Sequence, residues 1–352
     1  MQRMLAPNLR SCTERGMDYK APAWLPGGHA QTIWPAFYAQ RYLGPLKSLI
    51  RERWSSPDGD FLDIDKQRAS RPDRPLLVLF HGLEGSSGSH YAQAFSDWAA
   101  EQDINLALPH FRGCSGELNH APRAYHSGDH AEIDWLLQRF RSEHQALGGE
   151  TLVAAGVSLG GNALMRWAAE HGKSACMQAD AVASICSPLD LMQCGLAIGR
   201  GLNRHIYTPM FLRSMKPKAM AKWAQHPGLF DKDALYAAKD LYSFDNVFTA
   251  PLHGFKDTED YWKRASAKPL MHDIQVPALA LNALNDPFVP RNSLPGPNDV
   301  SSSVCLWQPA QGGHVGFAQG RWPAHVRAMP DAVGAWLLQA TGHRLNGGSS
   351  YG

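Results

Sequence analysis

Short apolar runs of strand length alternate with longer stretches in which apolar residues recur every three or four positions. Leu76-Leu77-Val78-Leu79-Phe80 is continuous and apolar, the pattern of a strand buried on both faces. The pattern then predicts a helix from Tyr91 to Glu101, a strand from Ile104 to Leu108 and a helix from Asp129 to Arg141, with Ile133, Leu136, Leu137 and Phe140 on one side. Thr151 to Ala155 is the next strand and Asn162 to Trp167 is compatible with helix; Ala181 to Cys186, Pro277 to Ala283 and Ser303 to Trp307 are further apolar runs. Ahead of them, Glu52 to Ser56 and Phe61 to Asp65 flank Pro57-Asp58-Gly59-Asp60 and read as a leading hairpin. Strands separated by amphipathic helices imply an α/β fold, a mostly parallel sheet covered on both faces, with its chemistry at the carboxyl ends of the strands.

On this pattern residues 1–50 are a lead-in, 51–187 and 269–342 are the two parts of the core, and 343–352 are a Gly/Ser-rich tail. Between the core parts, 188–268 is helical in pattern, rich in Met, Trp, Tyr and Phe, and without a buried strand. Such an insertion can roof a site as a lid. Met192, Met210, Phe211, Met215, Trp223, Phe248 and Phe255 are its candidates for lining an acyl pocket, although stripes of this kind more often serve packing.

Candidate chemistry begins at Gly156-Val157-Ser158-Leu159-Gly160, which joins the apolar run at 151–155 to a helix. A serine on so sharp a turn stands above the sheet, and small flanking residues let the backbone turn. Serine alone is a weak nucleophile at neutral pH, so a histidine and an orienting carboxylate are required, in chain order Ser, Asp or Glu, His. Asp286 follows the strand at 277–283, and Pro287 keeps it out of helix; Asp273 and Asp299 are poorer candidates, lying before that strand and in a Pro/Gly-rich loop. His314, between glycines after the last strand, is the candidate base among 16 histidines. The amides of Leu83, in the turn after the strand at 76–80, and Leu159 are the candidate oxyanion donors, with His81 shaping that turn. Arg112, Tyr125 and His126 are read as bracing loops.

Net charge is +2 with 19% charged residues, too weak a field to suggest nucleic acid. Six scattered cysteines show neither a Cys-x-x-Cys pair nor zinc-ligand spacing, which fits reduced thiols in a cytoplasmic protein; Cys114 is read as packing rather than as a nucleophile. The first residues, Met4 and Leu5 included, lack the apolar block of a signal peptide, and no apolar run reaches membrane-spanning length. No stable membrane anchor is therefore expected, transient lipid contact aside. No metal or other cofactor is expected either, since His81, His126 and His314 have no ligand spacing; oligomeric state is not readable.

Gly28-His29-Ala30-Gln31-Thr32, His81-Gly82-Leu83-Glu84-Gly85-Ser86, Arg112-Gly113-Cys114-Ser115-Gly116-Glu117, the serine motif, Asn285-Asp286-Pro287-Phe288 and Gly312-Gly313-His314-Val315-Gly316-Phe317 occur in that order across nearly the whole chain. Together they resemble one branch of the alpha/beta-hydrolases, comprising bacterial esterases, yeast medium-chain fatty acid ethyl ester synthase/esterases and animal monoacylglycerol lipases with this domain. Asn285 stands where relatives often carry a second Asp, and Tyr261-Trp262 replaces a common Tyr-Tyr. The resemblance implies the alpha/beta-hydrolase fold, the triad Ser158, Asp286 and His314, and a small-molecule substrate with a short or medium acyl ester, monoacylglycerols among them. Acyl transfer to an alcohol through the same triad is the alternative reaction. A non-catalytic binder of acyl ligands is the alternative from another class.

Overall fold

The computed structural model describes residues 16–343. Met4, Leu5, Cys12 and all but the first residue of the 343–352 tail lie outside them. The chain runs α1 (Gly27–Phe37), β1 (Ile50–Ser55), β2 (Phe61–Gln67), β3 (Leu76–Phe80), α2 (His90–Gln102), β4 (Asn105–Pro109), α3 (His130–Ala146), β5 (Leu152–Val157), α4 (Leu159–His171) and β6 (Ala181–Ile185). Six helices follow: α5 (Leu191–Ile198), α6 (Gly201–Gln225), α7 (Lys232–Ala237), α8 (Leu241–Val247), α9 (Thr249–Leu252) and α10 (Thr258–Ala265). β7 (Ala278–Leu281), β8 (Val304–Trp307) and α11 (Ala328–Ala340) complete the fold.

Among the described residues eight strands form one sheet in the order β1-β2-β4-β3-β5-β6-β7-β8. The hairpin β1–β2 pairs antiparallel, as does β2 with β4, and every other neighbour is parallel. Arg51 stands directly opposite Asp65 and Arg53 opposite Asp63, and both pairs are joined by forked guanidinium–carboxylate bonds of 2.7–2.8 Å. These cross-strand charges give the edge hairpin its register.

Strand alternation divides the core into two layers. Leu76, Val78 and Phe80 point into a layer closed by Ile133, Phe140, Leu164 and Trp167 of α3 and α4, while Leu77 and Leu79 meet Phe95, Trp98 and Leu337 of α2 and α11. Both faces are therefore apolar, which is why β3 and β5 read as unbroken hydrophobic runs. β4 and β5 flank β3 on opposite sides, so the chain reverses direction across the sheet there. In an open parallel sheet the crevice at that reversal, beyond the strands' carboxyl ends, is where ligands bind.

α3 continues five residues past the predicted Arg141, carried by an Arg139–Glu143 pair one turn apart. Neither α1 nor α11 was predicted. Gly334 lets α11 approach α2: a methyl group there would lie 2.2 Å from the Trp98 ring. Among the described residues no helix is long and apolar enough to cross a membrane.

Candidate active site

Ser158 sits between β5 and α4 with φ +52°, a region that non-glycine residues seldom occupy. That strain is held by close packing on both sides of the turn. A Cβ on Gly156 would lie 2.4 Å from the Gly160 carbonyl, and one on Gly160 would lie 2.5 Å from the His81 carbonyl, so only hydrogen fits. The Ser158 amide donates to Ile185 of β6 at 2.8 Å, and Gly161 and Asn162 donate to the Ser158 carbonyl. Buried Asn162 then bolts α4 to its surroundings, donating to the carbonyls of Ser127 and Ala265 and accepting from the Ala267 amide.

The imidazole of His314 lies 3.1 Å from Ser158 Oγ through Nε2 and 2.8 Å from Asp286 Oδ2 through Nδ1. A carboxylate accepting from Nδ1–H leaves Nε2 with a lone pair facing the hydroxyl, the tautomer that can take its proton. The Asp286 side chain is fully buried, and its other oxygen accepts from the Phe288 amide at 2.7 Å. The Phe288 ring lies 4.3 Å from the imidazole, centroid to centroid. Asp273 is instead beside His272, and Asp299 accepts from the Gly296 amide.

Residues from α1 hold the histidine loop in place. Thr32 Oγ1 accepts from the His314 amide at 2.8 Å, while Gln31 Oε1 accepts from both the Gly312 amide and the Asn285 side chain. Asn285 Oδ1 accepts from the Gly313 amide, so one amide side chain spans the acid loop, the histidine loop and α1. An aspartate there would lack the donor that faces Gln31. Sequence reasoning gave Gln31 and Thr32 no role; the motif containing them was the available signal.

The turn after β3 passes next to the serine: a Cβ on Gly82 would come within 3.2 Å of Ser158 Cβ. Among the described residues the Leu83 and Leu159 amides have no hydrogen-bond acceptor, Leu159 because it opens a helix. Those on either side of Leu83 are anchored, Gly82 on the Tyr91 hydroxyl and Glu84 on the Tyr125 hydroxyl, each at 2.9 Å. His81 is neutral here, with Nδ1 donating to the Gly82 carbonyl and Nε2 accepting from the Phe111 amide. Burial holds its acidity constant down at about 3. Two such amides can stabilise a negatively charged oxygen formed at carbon attached to Ser158 Oγ.

Glu84 extends this turn toward the helices between β6 and β7. It has φ +58°, accepts from the Tyr125 hydroxyl at 3.0 Å and pairs with Lys218 of α6 at 2.9 Å. Breaking the pair leaves a largely buried carboxylate uncompensated beside the Leu83 amide. Lys218→Met is therefore expected to lower kcat on a short ester by about tenfold with KM little changed. Steady-state kinetics check this; an unaltered kcat would show that the turn needs no support from α6.

A mostly apolar cavity opens from Ser158 and His314 under these helices, walled by Leu191, Ile198, Phe211, Met215, Phe244 and Phe248. Of the candidates named from sequence, Phe211, Met215 and Phe248 line it. Met210 faces solvent, the Trp223 indole donates to the Phe230 carbonyl, Phe255 packs on Tyr261 and His126, and Met192 joins the apolar cluster within the helices. Arg112, Tyr125 and His126 also border the cavity, but the Arg112 guanidinium is taken up by Glu132, Asp60 and Asp58. The Cys114 thiol is buried, which pushes it up to about 11, and its sulfur accepts from Lys218 Nζ at 3.8 Å. Among the described residues no three potential metal ligands cluster.

A family profile described as "alpha/beta hydrolase fold" matches residues 75–320. The chain belongs to the alpha/beta hydrolase fold family. Within it, the chain is 35% identical to "Putative esterase YheT" of Escherichia coli (strain K12), over 88% of this chain and 89% of that one. It is 27% identical to "Phospholipase ABHD3" of Mus musculus, over 93% and 80% of the two chains. The solved Pyrococcus furiosus esterase Pf2001 superposes with a TM-score of 0.53 at 14% identity, covering 83% of this chain and 93% of that one, a likeness of fold.

Proposed function

We propose that this member of the family is a serine carboxylic ester hydrolase acting on short- to medium-chain acyl esters, monoacylglycerols among them, through an acyl-serine. The observation that carries the reading is the continuous line from Asp286 through His314 to Ser158 Oγ, at 2.8 and 3.1 Å. In the first half-reaction His314 Nε2 takes the hydroxyl proton as Ser158 Oγ attacks the ester carbonyl, and Asp286 stabilises the imidazolium. The Leu83 and Leu159 amides hold the oxyanion, each lowering the barrier by about 3 kcal/mol. Collapse expels the alcohol, which receives the proton from His314. Water, deprotonated by the same ring, then attacks the acyl-serine, and His314 returns that proton to Ser158 Oγ as the carboxylic acid leaves.

The apolar walls beside Ser158 supply the acyl site, and the helices from α5 to α10 act as a lid that keeps bulk water from it. Turnover of p-nitrophenyl esters from acetate to palmitate tests both parts. kcat/KM is expected to peak between butyrate and octanoate, because each buried methylene adds about 0.8 kcal/mol until the cavity is filled. A maximum at acetate would remove the acyl site, and no turnover of any ester would remove the hydrolase reading.

A further inference from the structure

The first half of α6 presents an apolar face to solvent. Leu202, Ile206 and Met210 recur at every fourth position and are 62%, 40% and 46% exposed. That spacing aligns them along one side of the helix. His205 and Arg213 are exposed on that same side, Arg200 and Arg204 are exposed at the N-terminal end of the helix, and from Leu191 to Phe230 the sequence contains no Asp or Glu. None of the three arginines has an ion-pair partner among the described residues.

A surface that offers both hydrocarbon and negative charge satisfies such a stripe: the apolar side chains leave water, and the guanidinium groups meet phosphate. The opposite side of α6 leads to the site. Tyr207 and Phe211 pack on Phe288, the ring beside His314, and Lys218 reaches Glu84. We propose that this face of α6 docks on an anionic lipid bilayer and so sets the cavity beside the surface from which acyl esters enter. The docking rests on the hydrolase reading for its purpose, but binding is measured without turnover.

Co-sedimentation of the full chain with vesicles of phosphatidylcholine, with and without phosphatidylglycerol, tests it. Partitioning is expected to be about tenfold or more higher on the anionic vesicles and to fall steeply in high salt. The triple variants Leu202→Ser/Ile206→Ser/Met210→Ser and Arg200→Gln/Arg204→Gln/Arg213→Gln should each lower it by about tenfold. Both should keep the wild-type melting temperature and p-nitrophenyl butyrate turnover, since the altered side chains are already exposed. A second exposed patch, where the Phe37 ring lies tilted against Tyr38 and the Trp322 ring tilted against Trp34, supplies the competing surface. Equal partitioning on neutral and anionic vesicles, no partitioning, or loss in Phe37→Ser/Trp322→Ser but not in the α6 variants would overturn the proposal. Binding by a chain that hydrolyses no ester would overturn the function proposed above and still support the docking face.

Discussion

Replacing Ser158 by alanine should lower kcat for p-nitrophenyl butyrate by roughly 10⁴- to 10⁶-fold while leaving the fold intact. Alanine removes one oxygen and keeps Cβ, so the crowded turn between Gly156 and Gly160 is not asked to accept any new atom. Without the oxygen no acyl-serine forms, and what remains is the help that the Leu83 and Leu159 amides and the cavity give to direct attack by water. The same change should abolish labelling by a fluorophosphonate, which needs the nucleophile that His314 generates. Near wild-type kcat in a folded Ser158→Ala protein would exclude the assignment.

Asp286→Asn should cost roughly 10⁴-fold in kcat with little change in KM, although it alters neither volume nor the bond from the Phe288 amide. The cost comes from the tautomer. An amide nitrogen facing His314 Nδ1 donates where the carboxylate accepted, which drives the ring proton to Nε2; that nitrogen then has no lone pair for Ser158. The charge that stabilised the imidazolium is lost as well. Kinetics on the short ester, with the melting temperature as control for folding, measure this. A loss of less than about tenfold would mean that His314 is oriented by its loop alone, through Thr32 and Asn285.

The sheet and the three candidate site residues were legible because each of the three follows an apolar strand, buried on both faces in β5 and β7 and at alternate positions in β8, and glycine or proline marks the turn beyond it. α1 was not legible. Pro26, Gly27, Gly28 and Pro35 read as chain breakers, and no side chain caps its first turn. Its value lies in tertiary contacts, Thr32 and Gln31 meeting a loop some 280 positions away, which local periodicity does not encode. α11 was masked in a similar way by Pro330 and by Gly334, the glycine that Trp98 requires.

Which helix side faces the cavity was also beyond the pattern. Phe211 and Met215 turn inward one turn apart, whereas Met210, adjacent to Phe211, turns outward; composition treats all three alike. The turn after β3 shows a third kind of hidden information. His-Gly-Leu-Glu was readable as a turn, but the hydroxyls of Tyr91 and Tyr125 and the ammonium of Lys218 that anchor it come from three separate segments.

The most direct measurement is the site of acylation. Wild-type protein mixed with p-nitrophenyl butyrate and quenched in acid within the first turnover should carry one butyryl group, and peptide mass spectrometry should place it on Ser158. Turnover with no acylated peptide, or with the acyl group on another residue, would contradict the account.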